Sequence, residues 1–183
     1  INIYTGGINV GLTTYSSPKH DGRFTCEVRA KFLYGEAEKA IQLMKEMMLH
    51  SDFSDEARMR ELIASQRSRL EMRMSNTGNV LAAGRAMACF SVPALITDSI
   101  SGIAYYQFIK DLDEHYDEKK DEIRKKCEQL VRQVFTSAHL LVSTTGDDTA
   151  YAQVEKYLPG IAKDLFETTQ EAPKKEIKLI RKK

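Results

Sequence analysis

The sequence predicts an α+β fold, a mainly antiparallel sheet with helices packed on one face. Strand-like stretches open the chain, a run of amphipathic helical stretches follows, and one short apolar stretch with strand character, Ser137 to Thr145, returns near the end. Strands followed by runs of helices signal α+β, whereas regular strand–helix alternation would signal a parallel sheet. The length of 183 residues suits one core and is short for two. Three strands are few for this many helices, so further strands are expected from sequence outside the chain. The abrupt start in INIYTGGINVGLTTYSS, already strand-like, points the same way, to a fragment truncated at its N-terminus.

Taken in order, Ile1 to Tyr4 and Ile8 to Ser16 are β-prone, with Gly6-Gly7 between them as a bend, a bulge or a place of close backbone approach. Ser17 to Gly22 is a turn cluster. Arg23 to Leu33 alternates, with Phe24, Cys26, Val28, Ala30 and Phe32 on one face. This is a half-buried strand, paired with the first as an antiparallel hairpin. Glu36 to Leu49 is an amphipathic helix, and its Met44, Met47 and Met48 are read as gap-filling core rather than a binding groove.

The stretch from Phe53 to Phe90 reads as two consecutive helices broken at Ser75-Asn76-Thr77-Gly78, with Asp52, Ser54 and Asp55 as cap candidates. Met59, Leu62, Ile63, Gln66, Leu70 and Met74 share one face of the first. Arg58, Arg60, Arg67, Arg69 and Arg73 take other faces among Glu56, Glu61 and Glu71, and are read as solvated ion pairs. Gly78 sits where a helix end favours positive φ. The second helix, Asn79 to Phe90, is Ala-rich and slim, which suits close packing against a neighbour.

Ala94 to Ser101 reads as a connector holding a cap at Asp98 or Ser99. Ile100, Ile103, Ala104, Phe108 and Leu112 form the next stripe. A long helix then runs to Phe135, buried through Ile123, Cys127, Leu130, Val131 and Val134, with DEKKDEIRKK as its solvated face. The last helix has Asp147, Asp148 or Thr149 as caps and a stripe of Tyr151, Val154, Leu158, Ile161 and Leu165, split near Pro159-Gly160. Residues 1–166 are thus one domain, and the polar, aperiodic residues 167–183 a linker towards a following one.

Composition excludes several functions. With 27 basic and 26 acidic side chains the net charge is +1, so no global field recruits nucleic acid or an acidic membrane. No apolar run reaches the ~18 residues that span a bilayer. Cys26, Cys89 and Cys127 are odd in number and far apart, which argues for free thiols in the cytoplasm or another reducing compartment. No pair among His20, His50, His115 and His139 has the spacing of a zinc-binding helix, and no C-x-x-C occurs. The glycines do not assemble a phosphate loop. Ser143 to Gly146 precedes a helix, but Asp147 and Asp148 would repel an anion there. No catalytic or metal-ligating residue is therefore expected within the chain, and no cofactor.

Three quoted patterns do carry a resemblance. YTGGINVGLTTY precedes a second strand and the helix AIQLMKEMM. SDFSDEARMRELIASQRSRLEMRMSNTGNVLAAGRAM follows, and then SISGIAYYQFIKDLDEHYDE. The succession resembles the pitrilysin/insulinase family of inverted-zincin metallopeptidases, in the presequence-protease branch, and within it the third of four related domains. The resemblance implies a zinc peptidase of two bowl-shaped halves that enclose unfolded peptides. Its zinc helix belongs to the first domain and its assisting Arg and Tyr to the fourth, so neither has a counterpart here. This chain would form chamber wall, its partners the other domains of the polypeptide and the peptide substrates. Thr5, Gly6 and Gly7 would occupy the place where the catalytic domain's edge strand pairs with substrate. Two other readings stay open: an interaction or assembly module of a proteolytically inactive relative, and a self-contained, Arg-lined peptide-binding domain.

Overall fold

A computed structural model describes residues 5–15 and 23–167. The expectations for Ile1 to Tyr4, for the turn Ser17 to Gly22 and for the linker beyond Glu167 lie outside the described residues. Among the described residues the order is two strands, β1 (Thr5–Tyr15) and β2 (Arg23–Phe32), then seven helices: α1 (Ala37–Leu49), α2 (Glu56–Met87), α3 (Val92–Ser101), α4 (Ile103–Glu114), α5 (Tyr116–Val134), α6 (Asp148–Glu155) and α7 (Leu158–Asp164). Short 3-10 turns stand at Tyr34–Glu36 and Ser137–His139. The fold is α+β, with a small two-stranded sheet, and it divides into two compact units.

The unit that contains Phe53–Arg124 is built on α2. Asp55 caps it, its side chain accepting the Arg58 N–H at 2.9 Å. Ile63 and Leu70 bury one line of α2 against Ile109 and Leu112 of α4 and Tyr116, with Met59, Tyr105, Tyr106 and Ile123 packed around them. The expected break is present: Thr77 leaves helical geometry (φ −134°, ψ 33°). Its hydroxyl donates to the Arg73 carbonyl at 2.9 Å, and such back-bonding bends helices. Gly78 does not make the break in the way expected, since the positive-φ glycine among the described residues is Gly7.

Several stripes shift. Ala94 to Ser101 is no connector but most of α3, capped by Ser91 with Pro93 in its first turn. In α4 the buried line is Ile109 and Leu112, while Phe108 is exposed, as is Leu62 of α2. α5 buries only Tyr116 fully, and Leu130 and Val134 remain exposed. An apolar stripe marks the face that would pack, but burial needs an opposing element, and none covers those positions among the described residues.

In the unit that contains Cys26–Asp52, α1 buries Ala37, Ala40, Ile41 and Met48, so of the methionine stripe Met48 is core, while Met44 and Met47 are half-buried. Tyr34 donates its hydroxyl to Asp147 at 2.7 Å, and Asp147 in turn caps α6 by accepting the Ala150 N–H at 2.8 Å. α6 and α7 separate just before Pro159, which occupies the first turn of α7, where proline is tolerated. The third expected strand is absent among the described residues. Ser137–His139 is a 3-10 turn, and only an isolated parallel bridge joins Thr136 to Phe166. Leu140 keeps extended geometry, yet Leu141 is 89% exposed. A strand is defined by a partner's hydrogen bonds, and an extended apolar segment without one is not a ladder.

Candidate functional site

The residues singled out as a site, Thr5, Gly6 and Gly7, open β1 and continue into it without interruption. Gly7 has φ +106°, which a side-chain-bearing residue rarely adopts, so glycine is required here. At Gly6 a Cβ would lie 3.3 Å from the Lys31 Cβ on β2, so the two strands approach closely. Among the described residues the sheet has two strands, so each is an edge there, and edge backbone is the element on which strand addition operates. All three residues thus belong to an edge strand.

Within the arginine cluster of α2, Arg58, Arg60 and Arg67 are engaged in ion pairs, and Arg73 donates to the Ser101 carbonyl at 2.9 Å. Arg67 contacts Glu71 at 3.0 Å, Asp113 at 2.9 Å and Glu114 at 3.3 Å. These carboxylates hold its guanidinium more basic than usual, through its hydrogen bonds to Glu71 first and then to Asp113. Arg60 pairs with Asp117 at 3.2 Å and lies over the Tyr116 ring, and Arg58 pairs with Glu61 at 2.7 Å. An arginine committed to three carboxylates is a poor receptor for a fourth, so Arg67 is not poised to receive a peptide carboxylate.

The described cysteines are half-buried and the described histidines exposed. Burial, and then the charge of Glu27, pushes the Cys26 thiol up, and burial with Glu128 does the same to Cys127, so both stay protonated. His115 closes α4, with Nδ1 3.0 Å from the Asp111 carbonyl, and His139 Nδ1 stands 3.0 Å from the Thr136 hydroxyl. Among the described residues no three His, Cys, Asp or Glu side chains converge as a metal-binding group. The zinc that the family resemblance implies therefore does not fit the described side chains. No helix among them is long and apolar enough to cross a membrane.

Two further features stand out, one missed by the sequence and one foreseen in part. A shallow cleft of about 180 Å³ is lined by Glu38, Ile41, Lys45 and Tyr157 among others. Tyr157 donates to Glu38 at 3.3 Å and Lys45 pairs with Asp164, so its polar groups already serve the packing of α1 on the segment that holds α7. The cleft is below the ~300 Å³ at which ligand pockets begin. The second is Asp98, only 3% exposed. It forms an ion pair with Arg85 and accepts the Ile103 N–H at 2.9 Å, closing the start of α4 from the preceding helix. Gly102 must lack a side chain, since a Cβ there would fall 2.7 Å from the Asp98 Cα. Asp98 was legible as a cap; its partner Arg85 was signalled only by being a lone charge in a long neutral run.

The described residues define an α+β segment with a small two-stranded sheet and a helical unit built on α2. The profile of the family described as peptidase M-16C associated matches residues 1–112, and the chain belongs to that family, an associated segment of pitrilysin/insulinase-type metallopeptidases. Protein HypA of Clostridium perfringens is 29% identical over 86% of this chain and 16% of its own length. Presequence protease 1, chloroplastic/mitochondrial, of Arabidopsis thaliana is 28% identical over 83% of this chain and 14% of its own length. The mitochondrial presequence protease of Yarrowia lipolytica is 22% identical, over 81% and 15%. The chain spans about a sixth to a seventh of these curated relatives.

Proposed function

We propose that this chain is a non-catalytic, chamber-wall domain of a zinc-dependent peptidase that degrades unfolded peptides. The observation that carries the reading is the family match over residues 1–112. The names of two matched relatives, both presequence proteases, support the peptidase part. On this reading the metal is held elsewhere in the polypeptide and activates water there, while these residues contribute confinement and support. The partners are the other domains of the same polypeptide and the peptides it cuts. The strand carrying Thr5, Gly6 and Gly7 offers substrate its backbone by strand addition. The three free cysteines support a reducing compartment.

The test uses the complete polypeptide and the 183-residue chain side by side on a quenched fluorescent peptide. The complete polypeptide is expected to cleave in a chelator-sensitive manner and the chain alone not at all. Chelator-sensitive cleavage by the chain alone would overturn the assignment. An inactive complete polypeptide lacking H-x-x-E-H would instead support an assembly module.

A further inference from the structure

We infer that the outer face of the second half of α2 is a docking surface for an apolar face of another domain of the same polypeptide. The inference rests on the reading that the chain is one part of a larger peptidase. Beyond the kink at Thr77, Leu81 and Ala88 are buried within their unit at 8% and 4% exposure. Val80, Ala83 and Met87 follow at spacings of three and four on the other side, and Phe90 continues them in the turn after the helix. Val80 is 62% exposed, Met87 60% and Phe90 85%. From Met74 to Thr97 the only charged side chain is Arg85, and Asp98 holds it.

A surface helix of a soluble unit is polar opposite its buried line, and one apolar on both sides is covered on both. Scattered exposed apolar residues are ordinary, but three large ones aligned with no free charge among them mark an interface. The relatives carry most of their length outside the matched segment, the match covering 14–16% of each. That remainder is a covalently attached occupant at high effective concentration, which neither a second copy nor a transient peptide has. Ala83, with its minimal side chain, lets an opposing backbone come close.

Oxidation of the complete polypeptide by hydrogen peroxide, read by mass spectrometry at single methionines, tests this. Met48, buried in α1, is the internal reference. Met87 is expected to react as slowly as Met48, at least about tenfold slower than in the urea-unfolded polypeptide. Reaction of Met87 at the unfolded rate while Met48 stays protected would overturn the docking surface. Protection that appears only as protein concentration rises, or only when unfolded peptide is added, would overturn it too, in favour of a second copy or of substrate. Cleavage activity is assayed on the same sample. Activity with an unprotected Met87 removes the docking surface alone; a protected Met87 without activity removes the peptidase reading alone.

Discussion

The two halves of α2 solve the same packing problem by opposite means. Between Glu56 and Arg73 the helix carries eight charged residues around a buried line of Ile63 and Leu70, and its rim is laced to α4 and α5. Lys120 reaches Glu56 at 2.7 Å, and the Tyr116 hydroxyl donates to the Glu56 carbonyl at 2.9 Å. Past Thr77 the helix has a single charge, a buried ion partner for it in α3, and an apolar outer side. The first half is finished for water. The second is finished for contact with protein, and one helix therefore has two solvents.

If that contrast is right, the first half should depend on its apolar line and hardly at all on its many charges. Leu112→Ala should be the most damaging change, costing about 3 kcal/mol because Leu112 is 4% exposed within the cluster that seats the first half. Urea unfolding checks it, and a loss below about 1 kcal/mol would mean that the cluster is not the seat. Asp98→Ala should come next. Removing a buried acceptor leaves the Ile103 N–H unsatisfied and Arg85 without its partner, a loss of about 2 kcal/mol. Asp98→Asn, which keeps an oxygen for the Ile103 N–H, should cost less than the alanine. Equal losses for the two would show that the ion pair, not the cap, holds the second half.

Much of this was readable from residue order, and what was not has a common cause. The kink at Ser75 to Gly78, the helices flanking it, the hairpin strand Arg23 to Leu33 and the burial of Met48 in α1 follow from local chemistry alone. Which stripe is buried does not. Phe108 and Leu130 sit at helical spacing yet are exposed, because burial depends on what opposes them. The strand expected at Ser137 to Thr145 failed for the same reason, its hydrogen bonds requiring a partner that sequence does not locate. Of the candidate residues Thr5, Gly6 and Gly7, the unusual backbone of Gly7 was legible, since glycine pairs announce unusual φ. Arg85 was not, because an arginine's partner on another helix leaves no local mark.

A smaller effect sharpens the contrast from the charged side. Arg67→Met removes contacts to three carboxylates at once, but the group is only part-buried, and the water that still reaches it screens the charges. A slight destabilisation is expected at low salt, vanishing near about 1 M salt, where the screening length falls to about 3 Å. Urea unfolding at the two salt concentrations measures it. A large loss that survives high salt would make the charged rim structural and erase the difference between the halves.

The smallest expected effect is the dependence on acid, and it should belong to the charged surroundings of the first half. The Lys119 ammonium, hydrogen-bonded to Asp111 at the end of α4, holds that carboxyl below its usual range, with His115 adding to the effect. A carboxyl depressed on folding stabilises the native state above its unfolded pKa of about 3.9, and that contribution disappears as pH falls through the lower folded value. Stability should therefore decline below about pH 4 in the native chain, and decline less in Asp111→Asn, which has no such proton to take up. Chemical unfolding at a series of pH values measures the difference between the two slopes. Identical slopes would show that Lys119 and Asp111 are solvated separately, leaving the apolar line of Ile63 and Leu70 as the whole of what seats this half of the helix.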